Sequence, residues 1–235
     1  SAFTQSQEFP KNLRVVLEKT QPISTQLNGR LPLFVLPISG TLSSLNSNQA
    51  KQALDQLANR GIGYSVNWNH NSFEESLKEG LRIGKMQQSM GRMVSVHATS
   101  CLYSFFDGTE KTKHIDKNGK PYGDTSFGGT MGCPFAIEHR IPIIRKRIES
   151  FLEEYKSAGV NIDFIFADWE IDGPIEWNDA WTNSKQCQRC CEYIPKINDF
   201  RSFQSNLRKI RSGLQRETFG ENVTNYFPTA LVGNY

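Results

Sequence analysis

Three acidic residues lie at alternate positions in one short segment: Asp168, Glu170 and Asp172. They follow an apolar run at 162–166 that is typical of a buried strand. A strand directs successive side chains to opposite faces, so the three carboxylates are predicted to share one face. Like charges held close together raise the pKa of one member, which suits it to act as a general acid. We therefore predict Glu170 as a general acid, with Asp168 or Asp172 as its electrostatic partner.

Paired carboxylates of this kind are typical of glycoside hydrolysis. One protonates the leaving oxygen, and the other acts as nucleophile or base or stabilises the developing cation. Three of the four tryptophans, Trp169, Trp177 and Trp181, lie within or just after the acidic segment. Indole faces stack on sugar rings, so Trp177 and Trp181 are predicted to contact a carbohydrate. Trp169 is predicted to lie on the face of the strand opposite to the acids and to pack against neighbouring side chains.

The segment GVNIDFIFADWEIDGP (159–174) resembles the fourth-strand motif of chitinase-type glycoside hydrolases, which reads roughly G-x-D-G-x-D-x-D-W-E. The segment begins with a glycine and its Asp-Trp-Glu at 168–170 matches the end of the motif, whereas an earlier Asp of the motif falls at Phe166. The resemblance implies a TIM-barrel glycoside hydrolase. In such an enzyme Glu170 would be the general acid, and Asp168 would orient the substrate's acetamido group and share a proton with the acid.

The rest of the chain alternates between strand and helix patterns. Strands are predicted over 31–36, 62–68, 92–99, the start of the acidic segment and 223–232, and helices over 48–60, 72–91, 137–155 and 197–214. This alternation indicates βαβ units and a parallel sheet. An open, doubly wound sheet usually carries a glycine-rich phosphate loop after its first strand, and residues 36–40 do not match that fingerprint. We therefore predict an α/β fold of the (β/α)8, TIM-barrel-like type.

The number of strands is low for that fold. A complete barrel has eight strands in about 250 residues, and about five core strands are recognisable here. We therefore expect only the N-terminal five or so βα units, in the N-terminal portion of a longer protein. Residues 1–30 are predicted as an extension or hairpin, with a strand-like run at 13–18 and a turn at Asn28-Gly29. Residues 31–235 are predicted as the barrel domain, truncated on its C-terminal side.

Barrels place their chemistry at the C-terminal ends of the strands. The ends of the second and third predicted strands carry polar and aromatic side chains: Asn67, Trp68, His70, His97 and Tyr103. We predict that these five residues contact substrate. His114 and His139 fall on a predicted loop and helix, and we assign no role to either.

The five cysteines fit three descriptions. Cys187, Cys190 and Cys191 form a C-x2-C-C run, while Cys101 and Cys133 lie far from it in sequence. A zinc site normally needs four ligands, so this run would need Cys101 and Cys133 to fold back onto it. Disulfides and free thiols are the other two alternatives. Because the second pair of zinc ligands is missing from the run itself, we favour disulfides or free thiols and predict no metal and no cofactor.

Bulk composition excludes some partners. The net charge of +3 is too small to indicate nucleic-acid binding, and no apolar run approaches the about 20 residues that span a bilayer. We expect an oligo- or polysaccharide substrate and a secreted or periplasmic location, although no signal peptide is seen at Ser1.

Two alternative functions stay open. One is a metal-dependent, phosphodiesterase-like hydrolase, in which the acids and His97 bind Mg²⁺ or Ca²⁺. The other is a non-catalytic sugar-binding barrel module.

Overall fold

The computed structural model divides the chain into two compact units. The residues that it describes are 9–23, 31–37, 42–102, 105–124, 131–168 and 178–234. The first unit, called the sheet unit below, comprises residues 1–100, 151–168 and 226–234. The second, called the insert unit, comprises residues 101–150, 169–225 and 235.

The described elements alternate between strands and helices. In chain order the strands are β1 (Phe34–Leu36), β2 (Ile62–Asn67), β3 (Ser95–His97), β4 (His114–Ile115), β5 (Pro121–Tyr122), β6 (Phe164–Ala167) and β7 (Leu231–Asn234). The α-helices are α1 (Lys11–Lys19), α2 (Ser47–Ala58), α3 (Phe73–Ser89), α4 (Thr99–Leu102), α5 (Ile141–Ser157), α6 (Asn178–Ser184), α7 (Gln188–Tyr193), α8 (Phe200–Gln215) and α9 (Glu221–Tyr226). Single 3-10 turns lie at His70–Ser72, Glu110–Thr112 and Glu138–Arg140, and a π-helical turn at Arg216–Gly220 joins α8 to α9.

The sheet unit contains five parallel strands in the order β1-β2-β3-β6-β7. The register aligns Asn67 with His97, and His97 with Phe166, so the strand ends form one row. The helices reflect local sequence: α2 begins with a capping box between Asn46 and Gln49, and it buries the apolar face predicted from its periodicity. The parallel β/α arrangement expected from the sequence is therefore present.

The prediction of a (β/α)8 TIM barrel is wrong. The sheet curves through 189° and forms a half-barrel. Five strands form four strand pairs, whereas a closed barrel of eight strands needs eight pairs. The curvature of the sheet therefore does not bring β7 back to β1. Both edge strands carry exposed apolar side chains: Phe34 in β1 is 64% exposed and Leu231 in β7 is 50% exposed.

One predicted strand is a helix in the structure, and another is helical over its first part. The run at 13–18 belongs to helix α1, which buries Leu13 and Leu17 one turn apart. Residues 221–226 form α9, so the last strand begins at Leu231 rather than at Val223. The turn predicted at Asn28-Gly29 lies outside the described residues.

The insert unit holds a small antiparallel pair, β4 with β5, and the helices α6 to α9. One of its hydrophobic clusters includes three cysteines: its buried members are Cys133, Ala180, Cys187, Cys190, Ile194, Ile197, Phe203 and Leu207. In the part of the chain that the structure describes, no helix has the length and apolar character needed to cross a membrane.

Candidate functional site

The strand ends of the sheet unit carry a chain of hydrogen bonds centred on His97. Its Nδ1 lies 2.7 Å from Oδ1 of Asn67, and its Nε2 lies 2.6 Å from the hydroxyl of Thr99. Because the hydroxyl of Thr99 also accepts the backbone N–H of Asp168 at 2.6 Å, its own proton is free to point to His97. This arrangement suits a neutral imidazole that donates from Nδ1 and accepts at Nε2.

The electrostatics agree with a neutral His97. Burial lowers the pKa of His97 below its ordinary value, and the nearby charge of Asp168 opposes that shift without cancelling it. The ring also packs against Phe166, with centroids 4.7 Å apart. At neutral pH the strand ends therefore present an uncharged imidazole beside a carboxylate.

Asp168 is positioned by its backbone rather than by its side chain. Its N–H is held by Thr99, whereas its Oδ1 is shielded from water and has no hydrogen-bond partner among the described residues. Leaving a buried carboxylate oxygen unpaired costs free energy. This oxygen is therefore an acceptor whose donor is missing from the described part of the chain.

His70 belongs to a second polar group in the same unit. Its Nδ1 lies 3.3 Å from the hydroxyl of Ser100, which donates to Oδ1 of Asn69 at 3.1 Å. The side chain of Asn69 also caps the 3-10 turn His70–Ser72 by accepting the N–H of Asn71. The predicted residues Asn67, His70, His97 and Asp168 are thus all found at the ends of β2, β3 and β6.

The structure places Trp68 in the core. Its side chain is 1% exposed and stacks on Phe151 at a centroid distance of 4.7 Å and an interplanar angle of 8°. Tyr155 packs edge-on against the same indole at 5.2 Å. Trp68 continues the ladder of β2, because its N–H bonds to the carbonyl of His97, and this fixes the ring inward. The structure therefore gives Trp68 a packing role, and its contact with substrate stays a prediction.

Several predicted residues lie outside the described part of the chain: Tyr103, Trp169, Glu170, Asp172 and Trp177. Their assigned roles stay predictions.

Trp181 is described and lies in the insert unit. Its Nε1 donates to the carbonyl of Ile197 at 2.8 Å, and the ammonium of Lys185 lies 4.1 Å from the centre of its ring. Its contact with a sugar also stays a prediction.

A second site, which the sequence did not predict, lies in the insert unit. Four buried side chains bring one ligand atom each to within 4.8 Å of one another: His114, Cys133, Cys187 and Cys190. We call these four residues the His/Cys cluster. Among the described residues, no other group of three or more His, Cys, Asp or Glu side chains could hold a metal ion. Distances within the cluster are 3.7 Å from Cys133 Sγ to Cys190 Sγ, and 3.8 Å from Cys187 Sγ to Cys133 Sγ.

Local backbone structure brings the cluster together. His114 lies in β4, and the N–H of Cys133 bonds to the carbonyl of Thr112, two residues before His114. Gly132 permits this approach, because a Cβ at that position would overlap the carbonyl of Thr112. Cys187 precedes the first residue of α7, which carries Cys190.

The imidazole of His114 is oriented by an acid. Its Nε2 lies 2.8 Å from Oδ1 of Asp124, with side-chain exposures of 0% and 1%, and its Nδ1 lies 3.8 Å from the sulfur of Cys190. Burial lowers the pKa of His114, but hydrogen bonds with Asp124, Cys133 and Cys187 outweigh burial and raise it to about 11. Hydrogen bonds from Cys133 and Cys190 lower the pKa of Cys187, which favours a thiolate.

The structure excludes one of the alternatives that the cysteines left open, which is the disulfide. All five thiols are free, and the sulfur–sulfur distances of 3.7 and 3.8 Å are far beyond the about 2.05 Å of a disulfide. Cys133 does fold back onto the C-x2-C pair, whereas Cys101 is buried outside the cluster and Cys191 is exposed. The fourth member is His114, to which the sequence assigned no role.

Comparisons with protein-family models, with curated proteins and with solved structures found no match to this chain. The resemblance to chitinase-type enzymes thus depends on the segment 159–174 alone. Both candidate sites are therefore described from the positions of their own residues and not from a related protein.

Proposed function

We propose that the chain is a carbohydrate-active hydrolase whose site lies at the C-terminal ends of β2, β3 and β6. The observation that carries this proposal is the Oδ1 of Asp168, which has no hydrogen-bond partner among the described residues, beside the hydrogen-bonded chain through Thr99, His97 and Asn67. Ligands of parallel α/β sheets bind at the carboxyl ends of the strands, which is where these groups lie.

The chemistry of these groups suits a sugar. A carboxylate oxygen accepts a hydrogen bond from a sugar hydroxyl, and Asn67 and His97, which bond to each other, give the strand ends a neutral polar lining. In the proposed reaction Asp168 supports the general acid Glu170, which lies two residues further along the chain. Glu170 protonates the glycosidic oxygen while the bond to the anomeric carbon breaks. Water then supplies the new hydroxyl, and its second proton returns to the glutamate.

The experiment is hydrolysis of a polysaccharide panel by the chain and by Glu170→Gln and Asp168→Asn, with folding checked by circular dichroism. We expect each variant to lose at least about 100-fold in kcat, the lower range for general acid catalysis. The matched control is Glu74→Gln, which removes an exposed carboxylate from α3 and should keep full activity. Unchanged turnover in Glu170→Gln would overturn the assignment.

Two other outcomes would replace the proposal. Turnover of phosphodiesters that EDTA abolishes and Mg²⁺ or Ca²⁺ restores would select a metal-dependent hydrolase. Glycan binding measured by calorimetry without turnover on any substrate would select a sugar-binding module.

A further inference from the structure

We propose that the insert unit binds one Zn²⁺ ion through the four side chains of the His/Cys cluster. This inference does not depend on the proposed hydrolase, because it concerns a different unit and different residues. Its role is structural: the ion holds together segments that are distant in sequence.

The distances within the cluster match a tetrahedral zinc site. Zn–S bonds of about 2.3 Å and a Zn–N bond of about 2.0 Å separate sulfurs by about 3.8 Å, and sulfur from nitrogen by about 3.5 Å, at the corners of a tetrahedron. The observed sulfur–sulfur distances are 3.7 and 3.8 Å, and the sulfur–nitrogen distance from Cys190 to His114 is 3.8 Å. The four atoms therefore already surround a space of the size of one zinc ion.

The type of ligand selects the metal. Three thiols and one imidazole form a soft donor set that suits zinc, whereas Mg²⁺ and Ca²⁺ prefer oxygen. The pair Cys187 and Cys190 has the C-x2-C spacing common at structural zinc sites.

The surroundings of His114 add independent support. A zinc-bound histidine usually donates its other ring N–H to a carboxylate or carbonyl, which fixes the tautomer and the orientation of the ring. Asp124 accepts from Nε2, so Nδ1 is the nitrogen directed at the sulfurs. Tyr122 stacks on the imidazole at 5.2 Å and bonds through its hydroxyl to the carbonyl of Asn183, which restrains the ring further.

The site is closed rather than catalytic. All four ligand residues are buried, and a full set of four protein ligands leaves no position for water or substrate. The ligands come from three stretches of chain, with Cys190 76 residues from His114 and 57 from Cys133. A metal ion that joins such distant positions stabilises the folded unit, because it binds the folded arrangement and not the dispersed ligands of the unfolded chain.

The test is metal analysis of the whole chain purified from medium containing zinc, iron, cobalt and nickel. We expect one equivalent of zinc per chain. After acid removal of the metal and refolding with Co²⁺, the protein should show the visible absorption of tetrahedral cobalt bonded to thiolate.

Two variants sharpen the result. Cys190→Ser should retain at least tenfold less zinc than the wild type. Cys191→Ser changes the next residue, whose thiol is exposed and bonds to the carbonyl of Lys185, and it should retain one full equivalent.

The cobalt spectrum of the wild type keeps the proposal falsifiable even if Cys190→Ser fails to fold. Less than about 0.1 equivalent of any metal, together with no cobalt–thiolate absorption, would overturn the proposal. One equivalent of iron in place of zinc, or a disulfide between two cluster cysteines found by mass spectrometry, would overturn it as well.

Discussion

The Nε2 of His114 lies 2.8 Å from Oδ1 of Asp124, in a position where neither side chain contacts water. This one hydrogen bond sets which face and which nitrogen the imidazole presents to three cysteine sulfurs. An acid that orients a ligand in this way contributes to metal affinity without touching the metal.

Asp124→Asn is therefore expected to weaken zinc binding by about 10- to 100-fold without abolishing it. The amide keeps the size of the side chain but is a weaker acceptor for the ring N–H. Competition with a chromophoric chelator measures the change. Glu110→Gln is the control, because it removes an exposed carboxylate close to His114 in sequence and should bind zinc like the wild type. Equal affinities for all three proteins would contradict the role of Asp124.

Gly132→Ala is expected to lower the free energy of unfolding by about 1–3 kcal/mol, because the new methyl group overlaps the carbonyl of Thr112 and forces the backbone to shift. Gly213→Ala is the matched change in helix α8, where nothing lies within 4 Å of the added Cβ. That variant should gain up to about 1 kcal/mol from helix propensity. Urea unfolding measures both, and shifts of the same sign would refute the close approach at Gly132.

Trp68→Ala is expected to lower the free energy of unfolding by about 3–5 kcal/mol, the cost of removing a large buried aromatic side chain. The variant loses the stacking on Phe151 and the edge contact with Tyr155. Phe34→Ala, on the exposed edge strand β1, should cost less than about 1 kcal/mol. Denaturant midpoints of both variants provide the measurement, and a small effect of Trp68→Ala would contradict the packing role of Trp68.

Asp168→Asn is expected to lower the pKa of His97 further, because it removes the negative charge that partly offsets burial. NMR titration of the imidazole resonances in both proteins provides the measurement. Glu74→Gln, which removes an exposed carboxylate, should leave the titration of His97 as in the wild type. A rise in the pKa of His97 in Asp168→Asn would contradict the geometry at the strand ends.

The lowered pKa of His97 also predicts a pH dependence of stability. Below the ordinary histidine pKa of about 6.5, the unfolded chain takes up a proton before folded His97 does. The contribution of neutral His97 to the free energy of unfolding is therefore complete above about pH 6.5, and it is lost as the pH falls toward the pKa of His97 in the folded protein. Urea midpoints between pH 7.5 and 5 should decline less steeply for His97→Gln than for the wild type. An equal decline of the urea midpoint with pH in both proteins would contradict the lowered pKa of His97.

Local patterns in the sequence were enough to predict most of the sheet unit. The apolar runs at 62–68 and 162–166 predicted strands that are now β2 and β6, and the helical periodicity of 48–60 predicted α2. The same reasoning correctly placed Asn67, His97 and Asp168 at one edge, because the carboxyl ends of parallel strands share an edge.

Local patterns failed where packing overrides propensity. The run at 13–18 contains two adjacent valines and reads as a strand, yet burial of Leu13 and Leu17 makes it a helix. The run at 223–232 also favours a strand by composition, but α8 continues through a π-helical turn into α9, which takes up the start of this run and buries Asn222 and Val223. Neither burial could be read from the segment itself.

The sequence by itself determined the parallel β/α arrangement and the polar strand ends, because both follow from the period of the side chains and from the direction of the strands. Only the tertiary structure showed that the five described strands curve through a half-barrel, since the total curvature depends on how many strands pair and at what angles. Only the tertiary structure joined His114 to cysteines as far as 76 residues away. The path of the chain between such positions sets their distance, and no local periodicity encodes that path.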